Sequence, residues 1–382
     1  MKRLYGKLVG VIVAIGLLAG CESSMKSVKE KEVCKTDEEC VEIGDKKLQK
    51  VYEKIDGLSE LEAVEDYEIE EHESADMKEA EQKKEDDDEN YFFLASYYID
   101  GDEIVDPYFE KIERKRLNKV FAEDKEAKEE VLQQRQDRGY HEDLWDMYRT
   151  LIPAKYRGNI TEFDLITDGY DGVVAHVMPS IENPKEWTLS LDTLDSAVNI
   201  DEVMKTLIHE TAHVLTLGHK QIPVDENYVK DFEEDKDIST YRNKCGNLFL
   251  QEGCAEENSY INQFYNSFWK PIEQEWTEKK VEESEETQIE FFKEKHDEFV
   301  SQYGTTNVAE DIADTFTAFI LQDSKKVKEG SELKYKKIAF FYQFPELVKM
   351  RAEVLAGLYD VSKTIEQRSG NQCGLYMLAK KT

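Results

Sequence analysis

Two histidines four residues apart with a glutamate beside the first, His209-Glu210-Thr211-Ala212-His213, are the residues of this sequence best suited to chemistry. On a helix, positions i and i+4 share one face, so both imidazoles can reach a single ion at roughly 2.0 to 2.1 Å. A glutamate placed directly after the first histidine reaches a water on that ion and can deprotonate it for attack on a carbonyl. Zinc lowers the water's pKa toward neutrality, so the expected chemistry is hydrolysis with one catalytic Zn2+. The bland alternative, two histidines packed on an amphipathic helix, leaves Glu210 as an unexplained charge among Leu207, Ile208 and Ala212.

A catalytic zinc site wants a third protein ligand and an open fourth position, and two residues compete for the role. Glu310 lies in Asn307-Val308-Ala309-Glu310-Asp311-Ile312-Ala313-Asp314, where helical spacing puts Glu310 and Asp314 on one face. Asp314 could then orient a ligand histidine, since a carboxylate behind an imidazole fixes its tautomer and raises its basicity. The rival is His219, ten residues after His209, the separation of the pattern His-Glu-x-x-His-x-x-Gly-x-x-His. Thr216 stands at the glycine position of that pattern, and Gly218 comes two residues late for the sharp return it needs.

The segment from Leu207 to Leu217, taken with Glu310-Asp311-Ile312-Ala313-Asp314-Thr315-Phe316, resembles bacterial gluzincin-type zinc metallopeptidases, many of them exported lipoproteins. The resemblance runs from about Leu144 to Leu358. It takes in Gly253-Cys254, the run Ser259 to Tyr265, Phe340-Phe341-Tyr342 and Pro345-Glu346-Leu347. It implies His209, His213 and Glu310 as ligands, Glu210 as general base and Asp314 as support. Tyr303 lies seven residues before Glu310, a spacing similar to that of lethal-factor-like gluzincins. That likeness implies a tyrosine donating a hydrogen bond to the oxyanion, against the alternative of an ordinary core tyrosine. The run Val173 to Met178, with His176, resembles the edge strand that pairs with extended substrate in zincin-like folds, although a lone histidine is more often structural. The separation of 97 positions between His213 and Glu310 departs from the familiar pattern and bears on cleft shape and substrate size.

The elements that must position these residues follow from periodicity. A helix is expected from about Asn199-Ile200-Asp201 to Gly218, and another from about Asn307 to Leu321. A third runs from about Glu332 to Tyr359, kinked or broken at Pro345. Extended runs at 163–167, 173–178 and 187–192, separated by turn signals, suggest a small antiparallel sheet. The aromatic run Tyr91 to Tyr98 and the Asp100-Gly101 turn open the folded domain, and helix is expected from Asp106 to about Tyr148.

With 382 residues, 40% of them apolar, the chain can bury one substantial core. A formal charge of −33 argues against a surface that neutralises phosphates, so no nucleic acid partner is expected. Lys2, Arg3 and Lys7, the apolar stretch Leu8 to Leu18 and Ala19-Gly20 read as a secretion signal over 1–20. Leu18-Ala19-Gly20-Cys21 resembles a bacterial lipobox, which makes Cys21 the lipidated residue. An ordinary signal peptide with a chance cysteine is the alternative. Residues 22–90 hold 26 acidic and 11 basic residues, so 21–90 reads as an acidic, mostly disordered tether with a short helix around Leu48, Val51 and Ile55. In an exported chain disulfides persist, and local pairs Cys34–Cys40 and Cys245–Cys254 are expected, with Cys373 left over and free buried thiols still open.

The reading is an α+β, zincin-like domain over 91–382, with a small mostly antiparallel sheet and a predominantly helical C-terminal half. Its expected partners are a peptide or protein substrate and, through Cys21, the outer face of a bacterial membrane; a monomer is expected. Two other functions fit the same residues: a surface binding lipoprotein with structural zinc, and a zinc amidase acting on cell-wall crosslinks.

Overall fold

The computed structural model describes residues 34–55, 91–122, 124–170, 172–180 and 182–370. The expected signal segment, Cys21, Cys373 and residues 56–90 of the expected tether lie outside them. The chain is α+β.

Five strands form one sheet: β1 (Phe92–Asp100), β2 (Glu103–Phe109), β3 (Ile160–Thr167), β4 (Ala175–Pro179) and β5 (Trp187–Asp192), in the order β2-β1-β3-β5-β4. β1 and β2 are joined by a tight turn in which Gly101 takes a φ of +63°, a left-handed value that glycine adopts without strain. The expected helix from Asp106 gives way to strand as far as Phe109, because Ser96 and Ala95 of β1 pair with Tyr108 and Phe109. Pro107 is tolerated there since β2 is an edge. The three extended runs do not form a purely antiparallel sheet either. β5 returns between β3 and β4 and pairs parallel with β3, leaving β4 antiparallel to β5 on the outer edge. Residues on β3 and β5 are buried almost throughout, as central strands of a mixed sheet require.

The helices that matter to the site are α1 (Asp37–Tyr52), α2 (Arg138–Leu151), α3 (Ile200–Leu217), α4 (Val308–Leu321) and α5 (Pro345–Gly370). Asn199 caps α3, accepting from the Glu202 N–H, and Asn307 caps α4, accepting from the N–H groups of Ala309 and Glu310. Both helices are apolar around most of their circumference. Val203, Met204, Leu207 and Ala212 of α3, and Ile312, Ala313, Phe316 and Phe319 of α4, are all fully buried. The two pack against each other, with α3 also lying against β4. The helix expected over 332–359 is broken as Leu333–Phe340 and α5, and Pro345 occupies the first position of α5, where its missing N–H costs nothing.

Residues 34–55 do not behave as tether. Cys40, Gly44, Leu48 and Val51 form a buried stripe on α1 that packs along α5, and Cys34 is bonded to Cys40. Gly44 permits the close approach, since a side chain there would meet the Arg351 guanidinium. Arg351 is itself buried, donating to Asp45 of α1 at 2.8 Å and to the carbonyls of Phe319 and Gln322 at the end of α4. The acidic average over 22–90 conceals this stripe because only one face of α1 is apolar.

One buried ion pair fixes α4 against the C-terminal helices. Asp311 and Lys337 are both 0% exposed, and Asp311 accepts from the Lys337 ammonium and from Trp269 Nε1, each at 2.6 Å. Removing one partner of such a pair leaves an uncompensated charge away from water. Lys337→Met is expected to destabilise the fold by about 3–5 kcal/mol in denaturant titration. A loss below about 1 kcal/mol would show that Asp311 finds compensation elsewhere.

Candidate metal centre

Helix α3 carries His209 and His213 one turn apart and α4 carries Glu310 and Asp314 one turn apart, so the packed pair of helices faces two imidazoles with two carboxylates. His209 Nε2 lies 3.0 Å from His213 Nε2, and Glu310 Oε2 lies 3.1 Å and 3.2 Å from the two nitrogens. Behind His209, its Nδ1 lies 2.8 Å from Asp314 Oδ1. An ionised carboxylate only accepts, so the ring proton sits on Nδ1 and the Nε2 lone pair points at the other two donors. Asp314 is held in turn by the hydroxyl of Ser301, which donates to its other oxygen while accepting from the Gly304 N–H.

This donor set fits a divalent ion. Tetrahedral coordination with bonds of 2.0–2.1 Å separates neighbouring ligands by about 3.3 Å, close to the spacing of the three atoms. Two imidazole lone pairs and a carboxylate so near one another repel unless a positive charge lies among them. The electrostatics of His209 show the same demand. Burial pulls its pKa down, but hydrogen bonds to Asp314 and Glu310 outweigh burial and push it up to about 10. Burial raises Glu310, and the two histidines more than reverse this, holding it at about 2.

Glu210 stands beside this cluster, a carboxylate oxygen within 4.8 Å of the His209 and His213 ligand nitrogens, and it accepts from the Val177 N–H of β4 at 2.9 Å. It is buried, and burial pushes its pKa above the usual carboxylate range, with Glu310 adding to the shift and the two histidines opposing it. Tyr303 is not a core tyrosine: it is 55% exposed, and its ring lies 6.0 Å from that of His209. Burial of its hydroxyl and the carboxylates of Glu310, Glu210 and Asp314 raise its pKa, so it stays a proton donor.

Two other candidates fall elsewhere. Beyond Leu217 the chain passes through Gly218 in an extended conformation, φ −60° and ψ 161°, into a turn in which Gln221 and Ile222 donate to the Gly218 carbonyl, and the Nδ1 of His219 is buried with no hydrogen-bond partner. His176, half-buried on β4, packs its ring 6.3 Å from that of Tyr91.

The structure adds residues that periodicity did not single out. Ser301 is one. Glu252 is another: it sits in the turn of a short hairpin, β6 (Phe249–Leu250) and β7 (Gly253–Cys254), and both His213 and Glu310 act on its carboxylate through space. Cys245 is bonded to Cys254 at the base of that hairpin. A glutamate beside Gly253 and a cysteine carries no periodic signal; only the folded position of the hairpin reveals it.

Because Asp314 sets the tautomer of His209, Asp314→Asn is expected to weaken zinc binding roughly 10- to 100-fold in chelator competition. Unchanged affinity would mean that His209 is oriented by something else. Comparison with family models, curated proteins and solved structures finds no match to this chain, so the metal reading rests on the residues and their geometry.

Proposed function

We propose that this chain is a zinc-dependent peptidase of zincin-like fold and gluzincin type, held at the outer face of a bacterial membrane by a lipid on Cys21. The observation that carries the reading is the convergence of His209 Nε2, His213 Nε2 and Glu310 Oε2 within 3.0 to 3.2 Å, from two helices far apart in sequence, with Glu210 alongside. His209, His213 and Glu310 would hold the ion, and Asp314 would hold His209. When bound, zinc supplies Lewis-acid activation of water and of a carbonyl.

The chain's own residues supply the rest. Glu210, with its pKa raised by burial, is suited to take a proton from the attacking water and return it to the departing amine. Tyr303, protonated and at the rim of the site, can donate to the oxyanion.

Substrate geometry follows from β4, whose inner side pairs with β5 through bonds such as Asp192 N–H to Val174 C=O and Ser180 N–H to Glu186 C=O. By the alternation of an antiparallel ladder, Ala175 and Val177 direct their backbone groups to the outer edge, alongside α3, where the Val177 N–H already donates to Glu210. An extended peptide can add there as a further strand, which favours a peptide bond as the bond cleaved.

No helix among the described residues is long and apolar enough to cross a membrane. Cys21→Ser is expected to abolish lipid labelling and to move the mature protein from the membrane fraction into the soluble one; continued lipid labelling at the membrane would contradict the anchor.

For the chemistry, Glu210→Gln is expected to keep about one zinc per chain by elemental analysis while lowering peptide hydrolysis roughly 10²- to 10⁴-fold. Hydrolysis at the wild-type rate in that variant would overturn the mechanism, and metal without any hydrolysis in the wild type would favour a binding protein.

A further inference from the structure

Between buried Phe299 and the cap of α4 the chain makes a single 3-10 turn, Tyr303–Thr305, and this turn carries Tyr303 to the side of His209. Burial cannot hold the tyrosine there, since more than half of the residue is exposed. Its position comes from the backbone beneath it. Thr305 is fully buried, its carbonyl accepting from Trp276 Nε1 at 2.8 Å and its hydroxyl donating to the Gln302 carbonyl at 2.7 Å. Gly304 lies against α4: a Cβ there would stand 3.5 Å from the Asp311 Cα and 3.6 Å from Asp314 Oδ2.

One hydroxyl joins that turn to the histidine. Ser301 Oγ accepts from the Gly304 N–H at 3.0 Å and donates to Asp314 Oδ2, while Asp314 Oδ1 accepts from His209 Nδ1 at 2.8 Å. An ordinary turn cap needs only the first of these contacts. The second reaches 13 residues along the chain to a carboxylate, and it uses the single proton that the hydroxyl can donate. The bonds run in one direction, from amide to hydroxyl to carboxylate, so each polarises the next. Deleting the hydroxyl would leave an amide and a carboxylate oxygen without their partner at the same point, and would loosen the turn from α4.

We propose that Ser301 is a positioning residue for two groups at once: through Asp314 it orients His209, and through Gly304 it fixes Tyr303 beside that histidine. The Tyr303 half rests on the peptidase reading above, whereas the His209 half needs only the metal centre. A ligand and the oxyanion donor then depend on one hydroxyl, and neither can be disturbed there without the other.

The test uses the full chain and two readouts, zinc affinity by chelator competition and steady-state hydrolysis of dye-quenched casein at saturating zinc. Ser301→Ala acts one bond beyond the carboxylate, so it is expected to weaken zinc binding about 10-fold and to cost nothing further once Asp314→Ala is present. In the otherwise wild-type chain, Tyr303→Phe is expected to lower kcat about 100-fold with KM nearly unchanged. In the Ser301→Ala background the same change should cost less than about 3-fold, the mark of residues that act as a unit. Ser301→Thr, which keeps the hydroxyl, is expected to retain both the zinc affinity and the full cost of Tyr303→Phe. Should Ser301→Ala fail to fold, Ser301→Cys, close in size but a weak donor, supplies the same comparisons. Unchanged zinc affinity without the hydroxyl, or an equal cost of Tyr303→Phe in both backgrounds, would overturn the proposal. Zinc-loaded wild type that cleaves no casein would instead contradict the peptidase reading, and the zinc measurements, which need no turnover, still decide the hold of Ser301 on His209.

Discussion

The contact between α3 and α4 is the constraint on which everything else depends. Each helix buries apolar side chains around most of its surface, and the hydrophobic gain of that packing is what forces two imidazoles and a carboxylate within about 3 Å of one another. Left alone, such a cluster is unfavourable. The fold accepts it because larger areas are buried on either side, and a positive charge placed among the three donors would relieve it.

Around that contact, the remaining elements act as braces with distinct directions. Asp311, one residue after Glu310, faces away from the site and is tied to Lys337 and Trp269, so α4 cannot rotate without breaking a buried pair. Arg351 secures the far end of α4 and draws α1 onto α5. On the opposite side β4 offers its edge next to Glu210. Rigidity behind the ligands and an open edge before them is the division that a hydrolytic site requires.

The parts of this arrangement legible in the sequence are those set by local spacing. His209 and His213, like Glu310 and Asp314, stand four apart, and helical geometry alone puts each pair on one face. The caps Asn199 and Asn307 and the break at Pro345 are likewise local. What escaped depends on contacts between distant segments. The parallel pairing of β3 with β5 follows from the path of β4 around the sheet edge, which no strand pattern encodes. The docking of α1 is masked by the charge of its solvated face, and Ser301 and Glu252 reach the site only through the packing of a 3-10 turn and a disulfide-closed hairpin. His219 is the converse case: its spacing is suggestive, but it sits in the turn that follows Gly218, with its Nδ1 buried and unpartnered.

The central claim, that two histidines and a glutamate from separate helices share one zinc ion, is tested most directly by zinc K-edge absorption on the metal-loaded protein. Two imidazole ligands and oxygen donors at about 2.0 to 2.1 Å are expected, with one imidazole lost in His213→Ala and both kept in His219→Ala. Three imidazoles in the wild type, or an imidazole lost on changing His219, would contradict it.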